Sequence, residues 1–197
     1  MRWLVFPLGA MLAACNSMGG GAAAPAAAYF DHLASLCNGQ AYAGRLVSSD
    51  AADADFRDAR MIMGPASCAG EVVRIPFAVG EDRSRTWVLT RTADGVRLKH
   101  DHRHRDGSED VLTQYGGDST GPGTATRQDF PADEETKALF IREGIEVSTQ
   151  NTWTVEIDPG QLFAYQMRRP ERLFRVAFDL STPVAAPPPP WGEAPVE

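Results

Sequence analysis

The sequence predicts a mainly β protein: an antiparallel meander that closes into a small barrel, with one helix before it and one helix inserted near 133–143. Three observations carry this. Hydrophobicity alternates with period two in about ten short segments between Gly39 and Pro183, the pattern of half-buried strands. Tight turns separate several of them: Ala93-Asp94-Gly95, Asp106-Gly107-Ser108-Glu109 and Asp158-Pro159-Gly160. Helical segments are too few to supply the crossovers of a parallel sheet. Closure then removes the open edges that a flat sheet would carry, a two-sheet sandwich being the other arrangement these strands allow.

The chain opens on an address. Residues 1–14, MRWLVFPLGAMLAA, place one positive charge, Arg2, before an apolar run. That run is shorter than the ~20 residues a bilayer core requires, and it has the size of an export signal's apolar region. Leu12-Ala13-Ala14-Cys15 resembles a bacterial lipobox. The resemblance implies that 1–14 is a lipoprotein signal peptide and that Cys15 becomes the lipidated N-terminus, tying the protein to a membrane. Asn16, in place of a retaining Asp, implies the outer membrane, facing the periplasm. Residues 15–28 then read as a flexible Gly/Ala-rich tether. With Cys15 acylated, Cys37 and Cys68 form an even pair in an oxidising compartment and read as one disulfide, the alternatives being free thiols or metal ligands.

The folded domain is expected over 29–181. Tyr29, Phe30, Leu33, Leu36 and Cys37 recur at helical spacing over 26–37, and Asn38-Gly39 stops that helix. Strands are expected at 41–48, 60–64, 71–79, 85–92, 96–105, 111–115, 124–130, 145–157, 162–168 and 173–180. The inserted helix has acids in its first turn and Gly144 at its stop. Asp50, Asp53, Asp55 and Asp58 read as a solvated loop, and Arg168 to Arg172 as a basic turn, either solvated or meeting a phosphate or carboxylate. Gly-rich 115–123 reads as a long connector. Residues 182–197, with four consecutive prolines and Trp191, read as a disordered tail or a ligand for an aromatic groove.

The most informative segment is Val96-Arg97-Leu98-Lys99-His100-Asp101-His102-Arg103-His104-Arg105. As a strand it puts His100, His102 and His104 on the inward face with Val96 and Leu98, and only charges on the other. With a four-residue hairpin loop at 106–109, His104 faces Val111, His102 faces Thr113 and His100 faces Tyr115. Three readings follow. His100, His102 and His104 hold a metal with a further ligand from elsewhere. His100, His102, Thr113 and Tyr115, with Trp87 and Trp153, line a ligand pocket. Or the histidines form a buried polar network. His102-Arg103-His104-Arg105-Asp106 resembles the HxHxD of metallo-β-lactamase-type hydrolases, but Gly107 stands where another histidine is needed and His32 is the only histidine elsewhere.

No nucleophile elbow, P-loop, dinucleotide fingerprint or CxxC occurs, so the expectation is a non-catalytic protein without a cofactor. A net charge of -7 argues against nucleic acid as a partner. The stretches RTWVLTRTADGVRLKHDHRHRDGSEDVLTQYGG, GTATRQDFPADEETKALF and FRVAFDL resemble a group of exported proteobacterial lipoproteins to which no activity is assigned. The helix-then-meander layout is similar to calycin (lipocalin-like) barrels, although Gln40-Ala41-Tyr42-Ala43-Gly44 stands where their Gly-x-Trp is expected. Together these predict a membrane-anchored binder of a small polar or amphipathic ligand. The alternatives are a metal-binding protein and an envelope structural or interaction protein.

Overall fold

A computed structural model describes residues 23–121 and 123–193. Residues 1–14, read above as a signal peptide, Cys15 and the first part of the expected tether lie outside the described residues. Helix α1 (Ala23–Ala34) comes first and already includes residues 23–28, read above as tether. Strand β1 (Ala41–Leu46), a short helix α2 (Ala54–Arg57), β2 (Met61–Met63), β3 (Ser67–Ala69), β4 (Val72–Val79), β5 (Asp82–Arg91) and β6 (Val96–His102) follow. Next are β7 (Tyr115–Asp118), β8 (Arg127–Pro131), α3 (Glu134–Arg142), β9 (Thr152–Asp158), β10 (Leu162–Arg169) and β11 (Arg172–Val184).

The strands form one antiparallel sheet in the order β7-β6-β5-β4-β2-β1-β11-β10-β9-β8, with β3 added to β4. Its inward face alternates in step with the sequence: Val73, Ile75 and Phe77 on β4, Phe163 and Tyr165 on β10, and Phe174, Val176 and Phe178 on β11 are all buried. The sheet curls until its two edges nearly meet. β7 and β8 form no ladder, but Thr120 N–H donates to Asp129 O at 3.1 Å and Asp133 N–H to Gly116 O at 2.9 Å. Glycine makes that seam possible. A Cβ on Gly117 would lie 1.9 Å from the Pro131 carbonyl oxygen. Thr136 of α3 closes the joint, accepting from Gly116 N–H and donating to Gly116 O.

One end of the barrel is sealed by α1. Tyr29, Phe30, Leu33 and Leu36 are buried there, and the Tyr29 hydroxyl donates to the Val155 carbonyl at 3.2 Å. Arg91, at the same end of β5, lies over the Phe30 ring at 4.5 Å and pairs with Asp31. The expected Cys37–Cys68 disulfide is present and ties the chain after α1 to β3.

Several boundaries differ from the sequence reading. The 145–157 segment is a 3-10 turn over Glu146–Gln150 followed by β9. The strand expected at 111–115 instead begins at Tyr115, so the Gly-rich stretch supplies β7. Strand β11 continues to Val184, opposite Ala41, past the expected domain end at 181. The tail beyond it lies along the barrel: Trp191 N–H donates to Arg83 O at 3.1 Å, and Arg83 donates to Pro189 O at 2.8 Å. The outer face of β6 is therefore not wholly solvated. Asp101 is only 4% exposed, held by Arg74 at 2.9 Å and Arg103 at 3.0 Å.

Candidate functional site

At the end away from α1 the barrel opens into a cavity of about 440 Å³. This volume lies within the ~300–1,000 Å³ of small-molecule sites. Four strands line it with the same gradient from floor to mouth, because inward residues recur every second position. On β5 the order is Leu89, Trp87, Arg85; on β6 it is Leu98, His100, His102; on β10 it is Phe163, Tyr165, Met167, Arg169; on β11 it is Val176, Phe174, Arg172. From Trp87, His100 and Tyr165 outward these residues border the cavity, with Trp153 of β9 beside them. Phe56 of α2, Leu112 of the β6–β7 loop and Phe140 of α3 complete the walls.

The floor is aromatic. Trp87 stacks between Phe77 and Tyr165, with ring centroids 4.8 and 4.7 Å away. Tyr115 stacks on His100 at 4.4 Å, and Trp153 tilts against His100 at 5.1 Å. Through these rings runs a polar chain. His100 Nδ1–H donates to the Tyr115 carbonyl at 3.0 Å. A carbonyl only accepts, so Nε2 carries the lone pair and receives the Tyr165 hydroxyl at 2.8 Å. His102 Nε2 and the Tyr115 hydroxyl share a 3.1 Å hydrogen bond. Burial lowers the His100 pKa to about 3. Burial, aided by the Arg85 charge, lowers that of His102 to about 4. Both imidazoles are thus neutral at pH 7. Burial also raises Tyr115 and Tyr165 above their ordinary range.

The mouth is charged. Arg172 makes a two-pronged ion pair with the buried carboxylate of Asp53 and reaches Asp50 at 3.3 Å. Arg85 pairs with Asp82 at 2.6 Å. Arg169 donates to Asn151 Oδ1 at 3.2 Å. Asp110 accepts Leu112 N–H at 2.8 Å, with His104 Nε2 3.8 Å away.

Of the residues singled out in the sequence, His100, His102, Tyr115, Trp87 and Trp153 come together around one cavity. Thr113 stands behind them, its hydroxyl accepting the His102 backbone N–H at 2.9 Å. His104 does not join them. The expected register holds where His100 opposes Tyr115, but Arg103 pairs with Glu109, so the hairpin turns over 104–108, three positions out of the expected register. Strand β6 ends at His102 and His104 is exposed. The slack is taken up at 110–114, where Gln114 adopts a left-handed φ of 56° and donates to His100 O. With His104 outside and both His100 nitrogens occupied by Tyr115 and Tyr165, the three-histidine metal reading fails. No group of three His, Cys, Asp or Glu side chains suited to a metal occurs among the described residues.

The sequence reading passed over Tyr165 as a histidine partner, Arg169 as a mouth residue and the Asp53–Arg172 pair. Arg169 was within reach of it: the inward positions Phe163, Tyr165 and Met167 extend in period two to that arginine. Asp53 and Arg172 are 119 positions apart and no local pattern joins them. Neither histidine ring is hydrogen-bonded to a serine, threonine or cysteine side chain among the described residues. The arrangement presents flat apolar surface, neutral hydrogen-bonding groups and a charged rim. Comparison with family models, with curated proteins and with solved structures finds no match, so the reading of this site rests on the chain itself.

Proposed function

We propose that the protein is a lipid-anchored binding protein of the cell envelope that takes a small amphipathic molecule, without transforming it, in the open end of its barrel. The observation that carries this reading is the cavity: a floor of stacked rings with a polar mouth, at the end of the barrel that α1 leaves open. A non-polar body lies against Trp87, Trp153 and Phe140, while His102 and Tyr115 meet its polar groups. The barrel with an N-terminal helix supports the calycin-like likeness. The lipobox-like Leu12-Ala13-Ala14-Cys15 supports anchoring through Cys15 and a periplasm-facing outer-membrane location.

Two experiments test the two halves. Met167→Trp places an indole in the cavity while keeping an apolar residue opposite Trp153. Amphiphiles that raise the wild-type Tm should leave that variant's Tm unmoved. An equal shift in both proteins puts binding elsewhere. For the anchor, Cys15→Ser should move the protein from the detergent-extracted membrane fraction to the soluble one, and unchanged fractionation rejects it.

A further inference from the structure

Three strands end their inward faces at the mouth with an arginine: Arg85, Arg169 and Arg172. Their surroundings are not equal. Arg172 is locked to Asp53 and Asp50, and Arg85 to Asp82. Arg169 is half-buried, two residues from Met167 on the same inward face, and its partner is the neutral amide of Asn151. Among the described residues no carboxylate lies within ion-pair distance of it. Asp110, the remaining acid on the lining, belongs to the β6–β7 loop beside His104. Arg169 is thus a cation placed at the edge of an aromatic cavity with its charge unmatched, in a chain whose net charge is -7. A guanidinium fork in that position is suited to an oxyanion.

We infer that the guest is a monoanionic amphiphile, its apolar or aromatic body on the ring floor and its anionic head on Arg169. This deepens the binding reading above and rests on it. Because Asn151 already orients the fork, the anion meets a preorganised donor. Between the floor and that arginine, neutral His102 adds a hydrogen-bonding group, while His100 keeps both ring nitrogens on Tyr115 and Tyr165.

The test uses two fluorescent probes with the same ring system: anilinonaphthalene sulfonate, which carries one anion, and N-phenylnaphthylamine, which carries none. Both are titrated into the full-length protein, wild type and Arg169→Gln, with far-UV circular dichroism checking that the variant is folded. The wild type should bind the sulfonate more tightly. Arg169→Gln should weaken the sulfonate about ten- to a hundred-fold, as for loss of a charged hydrogen bond, and change the neutral probe less than about twofold. Arg169→Lys should recover part of the sulfonate affinity and guards against a folding defect in the glutamine variant. Equal binding of both probes, or a sulfonate affinity indifferent to Arg169→Gln, overturns the anion assignment while leaving the cavity a binding site. Binding of neither probe by the wild type removes both readings.

Discussion

At the scale of single residues, His100 does most to define the site. Its ring is buried, neutral and hydrogen-bonded on both sides, so it fixes Tyr115 and Tyr165 as well as itself. This makes a pH prediction. An unfolded histidine takes up its proton near pH 6.5, whereas His100 resists until about 3 and His102 until about 4. The unfolded chain therefore binds protons first as pH falls. Stability is full above about 6.5 and is lost progressively toward the folded values. Urea midpoints should decline from pH 7.5 to about 5.5, above the range where carboxylates such as Glu156, held low by the hydrogen bond from Arg175, add their own pH dependence. His100→Leu should flatten that decline, yet start lower by about 1–3 kcal/mol for each of the two groups it orphans. A level wild-type midpoint across the range contradicts the account. The inward placement of His100 and His102 is legible in the sequence because they continue the alternation of Val96 and Leu98. Their tautomers and partners are not, since Tyr165 lies 65 residues away.

At the scale of elements, two joints hold the barrel in shape. The seam between β7 and β8 depends on Gly117, where any side chain collides with the Pro131 backbone. Gly117→Ala should destabilise by roughly 1–3 kcal/mol, the usual cost of overpacking, with hydrogen exchange rising first at Gly116 and Asp133. Exchange and stability like those of the wild type would show that the seam bears no strain. The second joint is the Cys37–Cys68 disulfide, which closes a loop across 31 positions. Its reduction should cost about 3–4 kcal/mol on the chain-entropy estimate, read as a lower urea midpoint in dithiothreitol. The strand β7 was hidden from sequence reasoning for a physical reason. Tyr-Gly-Gly-Asp has no alternating apolar face, because a strand at a tight seam is selected for small size rather than for burial of side chains. Likewise the 3-10 turn at Glu146–Gln150 runs on into β9 without a breaker residue, so the two read as one strand.

At the scale of the whole molecule, the barrel is a polarised container. α1 plugs one end with tyrosine, phenylalanine and leucine, and Arg91 marks that end of β5, while Arg85 marks the mouth six residues away, about 20 Å along the strand. Alternation made the mainly β, barrel-like architecture legible. The direction in which the barrel opens depends on where α1, α2 and the α3 segment dock, and such tertiary contacts leave no local pattern. The central claim is that the open end takes an amphipathic guest between its rings. The most direct measurement is an indole N–H NMR titration of the protein with anilinonaphthalene sulfonate. Trp87 and Trp153 line the cavity, and Trp191 sits outside it near Arg105. The account predicts saturable shifts of the Trp87 and Trp153 indole signals with Trp191 unmoved. Shifts confined to Trp191, or none at saturating probe, would contradict it.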